Sequence, residues 1–79
     1  MNRFGEKLRA LRKKRGLTLI ELGNMLGVYH THVSQLETGR RTPNAAMILK
    51  IADTFGVSTD VLMRDELELD VGSEASDEA

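Results

Sequence analysis

The sequence has no cysteine and no tryptophan, and only one proline, one tyrosine and two phenylalanines among 79 residues. Without cysteine there is no disulfide, no thiolate ligand and no thiol nucleophile. No apolar run approaches the ~20 residues that span a bilayer. The charged N-terminal stretch MNRFGEKLRALRKKRG has no apolar segment of the secretory type. These absences predict one small cytoplasmic domain.

Basic residues are missing from the last fifteen positions. Residues 1–64 hold all 11 lysines and arginines against five acids, a net charge of +6. Residues 65–79 hold seven acids and no base, a net charge of −7. This asymmetry predicts a basic folded domain over 1–64 and an acidic tail over 65–79.

The apolar spacing of the first 38 residues predicts three helices. The first covers 4–15, with Phe4, Leu8 and Leu11 on one face. The second runs from 18 to 26, where Thr18 and Glu21 form the T-x-x-E pattern of a capping box. The third covers 29–38. Glycine follows each helix, which is typical of helix ends.

Two further helices are predicted beyond residue 42. Pro43 suits the first turn of a fourth helix, whose apolar positions repeat at Ala45, Ile48, Leu49, Ala52 and Phe55. Ser58 suits the N-cap of a short fifth helix with Val61 and Leu62. The fold class is therefore all-α, a compact five-helix bundle.

The second and third helices, joined by the tight Gly27–Val28 turn, have the helix-turn-helix arrangement. The chain resembles the Cro/repressor-type (XRE-like) helix-turn-helix regulators over about residues 3–63. The matching positions are Leu8, Arg12, Gly16, Leu17, Thr18, Glu21, Leu22, Leu26, Gly27, Val28, Val33, Ser34, Leu36, Glu37, Gly39, Pro43, 49–52 and 55–58.

This resemblance implies a sequence-specific DNA-binding transcriptional regulator, usually a dimer, that reads a near-palindromic operator through the major groove. The family's base-reading positions fall on His30, Thr31 and Gln35, with Ser34 beside them. Its phosphate contacts fall on Thr38, Arg40 and Arg41, and the Tyr29 hydroxyl is placed to reach a phosphate. The resemblance also implies a structural ion pair between Arg12 and Glu37. We expect a bacterial, archaeal or phage-encoded repressor that is cytoplasmic and associated with the nucleoid.

The expected dimer surface is Val57, Thr59, Leu62 and Met63. A different class of function stays open because Leu19 stands where the family commonly has glutamine, and Ile20 and Met25 stand where polar residues are usual. These three side chains, or the tail, could bind another protein, as an antitoxin or anti-regulator does. A phage-type repressor and a restriction–modification controller are not distinguished by these residues.

The acidic tail has three interpretations. Residues 66–71 alternate between charged and apolar side chains, which is a strand period, so they either pair with a partner or second copy or are disordered. Residues 72–79 are small and acidic and are predicted to be disordered. The acids could also compete with DNA for the basic body.

A metal site and an enzyme are both disfavoured. His30 and His32 are two residues apart, about 200° around a helix, so they cannot hold one metal together. No nucleophile–base motif, phosphate-binding glycine loop or paired carboxylates occur. We therefore expect no cofactor, no catalytic residue and no membrane association.

Overall fold

The computed structural model describes residues 2–69, which form five helices. These are α1 (Phe4–Lys14), α2 (Leu19–Leu26), α3 (His30–Thr38), α4 (Ala45–Phe55) and α5 (Thr59–Met63). No strand occurs within residues 2–69, and none of the helices there is long and apolar enough to cross a membrane. The all-α prediction with five helices is confirmed.

Side-chain caps determine where three of the helices begin. At α2 the Thr18 hydroxyl accepts from the Glu21 N–H at 3.0 Å while the Glu21 carboxylate accepts from the Thr18 N–H at 2.8 Å. This reciprocal pair is the predicted capping box. Ser58 caps α5 through the Val61 N–H at 3.1 Å, as predicted.

The start of α4 corrects the sequence prediction. Pro43 is not in the first turn, because Asn44 is the N-cap and the helix begins at Ala45. The Asn44 side chain accepts from the Met47 N–H at 2.8 Å. Asparagine is among the strongest N-cap residues, and its hydrogen bond determines the helix start.

Glycine permits the sharp turn between α2 and α3. Gly27 has a φ of 78°, a left-handed conformation that other residues adopt at a cost. The Val28 N–H then donates to the Gly23 carbonyl at 2.9 Å. Gly23 itself allows this close return of the chain, since a Cβ there would overlap the Val28 carbonyl oxygen.

All five helices contribute to one hydrophobic core. Its members are Phe4, Leu8, Leu11, Leu22, Leu26, Val33, Leu36, Ile48, Ile51, Ala52, Phe55 and Leu62. Helix α1 crosses α3 closely at Gly5, where a Cβ would overlap the carbonyl oxygens of Leu36 and Glu37. The buried face of α3 is thereby held against both α1 and the α2 turn.

The segment after α5 folds back on the start of α1. The Lys7 ammonium is buried and donates to the carbonyls of Val61, Arg64 and Leu67 at 2.6, 2.7 and 2.7 Å. Arg3 donates to the Glu68 carboxylate through two nitrogens at 2.9 and 3.0 Å. These bonds are called the C-terminal contact below.

Residues 65–69, the start of the predicted tail, therefore touch the body. Leu69 is half-buried against the core. Residues 66–69 form no strand in the single chain, and pairing of 66–71 with a second chain stays a prediction. The predicted disordered stretch, 72–79, lies outside the described residues, as do residues 70 and 71.

Candidate nucleic-acid interface

Helix α3 has one buried face and one open polar face. Val33 and Leu36 are fully buried in the core. His30 and Thr31 are exposed, and Ser34 and Gln35 are half-buried. The four predicted base-reading side chains share an open groove of about 490 Å³, which Leu19, Thr38 and Arg40 also line. The structure therefore brings together the residues expected to read bases and two of those expected to contact phosphates.

An ion pair ties the end of α3 to α1. Arg12 Nε donates to Glu37 Oε2 at 2.7 Å and Arg12 Nη2 donates to Glu37 Oε1 at 3.1 Å. The remaining nitrogen, Nη1, donates to the Leu17 carbonyl at 2.9 Å. The two side chains are 12% and 6% exposed. The hydrogen bond to Glu37 raises the pKa of Arg12. The pair fixes α3 and does not line the groove, a geometry that suits a structural role.

The last turn of α3 passes directly into the loop with the two arginines. Gly39 has a φ of 83°, and the N–H groups of Arg40 and Arg41 both donate to the Gln35 carbonyl, at 2.9 and 3.2 Å. The 6→1 bond from Arg40 and the bond from Gly39 to Leu36 form a Schellman motif. Both arginine side chains are exposed, and the motif keeps them beside the open face of α3.

One side-chain bond joins the open face to this loop. Arg41 Nε donates to Gln35 Oε1 at 3.0 Å. Sequence spacing of six residues, with the helix end between them, gives no signal for this contact. The Arg40 side chain makes no such bond among residues 2–69.

The start of α3 lacks a side-chain cap. Tyr29 occupies the N-cap position, its side chain makes no cap hydrogen bond, and it is 83% exposed. The ring lies beside a separate concavity of about 290 Å³ lined by Gly23, Asn24, Gly27 and Val28. His32 is half-buried and does not line the groove.

The basic end of α1 is partly committed to packing. Arg15 Nη1 donates to the Thr54 carbonyl at 3.0 Å, and the guanidinium lies 5.1 Å from the centre of the Phe55 ring. Lys50 similarly donates to the Leu26 carbonyl at 3.2 Å. Arg15 and Lys50 therefore also serve the fold.

The expected dimer surface needs one correction. Leu62 is completely buried in the core, so it supports α5 from inside and presents no surface to a partner. Val57 and Thr59 are half-buried and Met63 is 45% exposed. Thr59 and Met63 line an apolar groove of about 210 Å³ with Ala45, Ile48 and Leu49. Leu49, which the helical pattern assigned to the buried face, is 56% exposed, and Ile51 is buried instead.

The apolar side chains of α2 do not form one patch. Leu19 is half-buried against the core and lines the groove of α3. Ile20 and Met25 are exposed, but five helical positions separate them by about 140°. Two separate apolar contacts are therefore available on α2.

Comparison with known proteins agrees with this geometry. A family model described as "Helix-turn-helix" matches residues 8–62. The HTH-type transcriptional repressor RghR of Bacillus subtilis is 41% identical over 64 residues, which cover 80% of this chain and 47% of RghR. The chain thus matches less than half the length of that relative.

Two solved structures have the same fold. The P22 c2 repressor in complex with synthetic operator 9T superposes with a TM-score of 0.74 and is 33% identical, covering 80% of this chain and 96% of that one. The N-terminal DNA-binding domain of SinR from Bacillus subtilis has a TM-score of 0.75 and 25% identity, covering 86% and 100%.

The fold and the open polar helix define a helix-turn-helix domain. The chain belongs to the helix-turn-helix family of the Cro/repressor (XRE-like) type, as the resemblance predicted.

Proposed function

We propose that this chain is a sequence-specific DNA-binding transcriptional regulator that represses as a dimer. A relative matching over most of this chain is named as a transcriptional repressor, and a structural neighbour of the same fold is a repressor bound to operator DNA. The proposal gives the chain no catalytic step and places it on DNA, at the nucleoid.

The single observation that carries the proposal is the open polar face of α3, on a helix whose other face is packed against the core. An α-helix with its side chains is ~10–12 Å in diameter, which fits the ~12 Å width of the major groove. The opposite face is packed into the core, and the far end is held by the Arg12–Glu37 pair. His30, Thr31, Ser34 and Gln35 would therefore meet base edges from a fixed backbone.

The flanking groups suit phosphate contacts. Arg40 and Arg41 are exposed beside the open face, and Thr38 lines the same groove. Tyr29 is the N-cap residue of the helix, and its side chain is exposed. Phosphate contacts position a protein on the duplex, whereas base contacts select the sequence.

A dimer would place two copies of α3 about one helical turn, ~34 Å, apart. The surface that favours it combines the half-buried Val57 and Thr59 with the exposed Leu49 and Met63. Because a body charge of +6 is modest, pairing two bodies would raise the number of phosphate contacts and so the affinity.

The decisive experiment is selection from a random duplex library at ~0.1 M salt, where non-specific binding fades. An enriched palindrome is expected, and its half-site spacing would report the dimer geometry. An enriched single half-site would contradict the dimer but keep the DNA-binding function. No enrichment by folded protein would refute the function.

Salt dependence tests the phosphate contacts separately. Arg40→Ala should lower the log–log salt slope of affinity by about 0.9 per lost phosphate contact. Arg64→Ala is the matched control, because Arg64 is an exposed arginine outside α3 and its loop, paired with Glu66 at 3.7 Å. Equal effects of the two variants would place the phosphate contacts elsewhere.

The exposed Ile20 and Met25 favour a second candidate, a protein-interaction module. Such a module would keep its partner when Gln35 is replaced and lose it with Ile20→Ser or Met25→Ser. A sequence-specific regulator shows the reverse pattern of effects on DNA.

A further inference from the structure

The Gln35–Arg41 bond sets the orientation of the Gln35 amide. An arginine Nε–H can only donate, so the atom 3.0 Å from it must be the amide oxygen, Oε1. The other end of the amide, Nε2 with two N–H donors, then points away from Arg41. Gln35 is thus held in one of the two orientations that an amide can adopt.

The backbone makes this bond part of a closed unit. The Arg41 N–H donates to the Gln35 carbonyl at 3.2 Å while the Arg41 side chain donates to the Gln35 amide. Arg40 shares the backbone contact, at 2.9 Å, but not the side-chain contact. Two adjacent, exposed arginines of equal charge therefore differ in their side-chain bond to Gln35, and Arg40 lines the groove without making that bond.

The orientation of an amide decides which base it suits. Adenine presents an acceptor, N7, and a donor, N6, so a glutamine that binds both must accept through Oε1. Guanine presents two acceptors, N7 and O6, which suit the two hydrogens of Nε2. Arg41 already binds one of the two lone pairs of Oε1. Adenine N6 would have to donate to an oxygen that a positively charged donor already binds, whereas guanine needs only the free hydrogens of Nε2.

We propose that Arg41 is a positioning residue that sets Gln35 to read guanine in preference to adenine. The proposal rests on the proposed DNA-binding function. It changes the role of Arg41, which the family resemblance implies to be a phosphate contact. It also changes the base that Gln35 would bind, since a free glutamine amide suits adenine.

The test is a set of parallel selections from one random duplex library. Wild type, Gln35→Ala, Arg41→Ala and Arg40→Ala are compared. The position read by Gln35 is the one whose preference disappears in Gln35→Ala. Guanine should dominate there for wild type and for Arg40→Ala. In Arg41→Ala the guanine-to-adenine ratio at that position should fall by about tenfold, the range of one good base contact.

Two results would overturn the proposal while leaving the proposed function standing. One is adenine at the Gln35 position in wild type. The other is an Arg41→Ala variant that weakens binding evenly at all positions, as Arg40→Ala should. Failure of wild type to enrich any sequence would instead refute both proposals.

A measurement without DNA checks the bond itself. In NMR spectra of the free protein, the Arg41 Nε–H should exchange with water more slowly in wild type than in Gln35→Ala. The Arg40 Nε–H is the internal control and should be unchanged. Equal exchange at Arg41 in both proteins would show that the bond is absent in solution and would also overturn the proposal.

Discussion

Two arginine–glutamate pairs hold the two ends of α1, and they differ chiefly in burial. Both are two-nitrogen contacts with bonds near 3 Å, Arg12 with Glu37 and Arg3 with Glu68. The first pair has side chains 12% and 6% exposed, and the second 32% and 74%. The inner pair holds α3, whereas the outer pair holds the segment after α5.

The same chemistry therefore serves different purposes at the two ends. Charges taken from water must keep their partners, because a lone buried charge is costly. Charges in water are screened and exchange partners easily. The geometry of α3 accordingly depends on the inner pair, while the outer pair adds only to the C-terminal contact.

The largest expected effect is that of breaking the inner pair. Glu37→Ala should lower the free energy of unfolding by about 3 kcal/mol, because it leaves the Arg12 guanidinium without its carboxylate in a nearly buried site. Urea denaturation checks the value. DNA affinity should fall as well, since α3 loses its tie to α1.

A double variant separates the pair from the packing around it. Arg12→Met with Glu37→Leu removes both charges and should be less destabilising than Glu37→Ala alone. If the double variant lowers the free energy of unfolding by as much as the single variants Arg12→Met and Glu37→Leu do in sum, the two side chains are not coupled. That result would contradict the contrast between the inner and outer pairs.

Lys7 is expected to give the next largest effect. Lys7→Met keeps the buried stem but removes the three N–H donors of the ammonium. The carbonyls of Val61, Arg64 and Leu67 then lose their hydrogen bonds from this side chain. A loss of about 2 kcal/mol is expected, since unsatisfied buried groups are costly. Hydrogen exchange should speed up in α5 more than in α3. Uniform acceleration across both helices would contradict a local role.

Local signals explain what the sequence could predict of the fold. The capping box at Thr18 and Glu21 and the turn at Gly27 act within a few residues, so a pattern reveals them. Pro43 and Asn44 are both typical of a helix start, and the hydrogen bond of the Asn44 side chain determines where α4 begins. Leu49 and Ile51 exchanged places because the packing angle of α4 is a tertiary property.

Contacts between segments that are far apart in the chain could not be predicted from the sequence. Lys7 lies three residues from Phe4 and four from Leu11, which indicates the buried face, but its carbonyl partners are 54 to 60 residues away. The position of Arg12 opposite Glu37 came from family resemblance, not from spacing. The Gln35–Arg41 bond depends on side-chain rotamers that no pattern encodes.

Acid should loosen the outer end of α1. The backbone N–H groups of Arg3 and Asn2 hold the pKa of Asp65 below its ordinary value, and the hydrogen bond from Arg3 does the same for the pKa of Glu68. A carboxyl with a lowered folded pKa stabilises fully above its unfolded pKa and loses that contribution as the pH falls through the folded one.

The expected loss therefore begins below about pH 4.5, the ordinary pKa of glutamate, and grows with further acid. Urea midpoints measured between neutral pH and ~pH 3 should fall less in Asp65→Asn/Glu68→Gln than in wild type. Identical pH profiles would show that these two carboxylates do not stabilise the C-terminal contact.

The smallest expected effect is that of Glu68→Ala at neutral pH. Its carboxylate is 74% exposed, so water and salt can replace the Arg3 guanidinium at little cost. The thermal midpoint should move slightly at low salt and not measurably at ~1 M salt, where screening acts within ~3 Å. Glu37→Ala should keep most of its effect at high salt, because its partner is shielded from ions. If Glu68→Ala still shifts the thermal midpoint at high salt, the outer pair contributes through packing of its side-chain stems. The two ends of α1 would then differ in geometry rather than in burial.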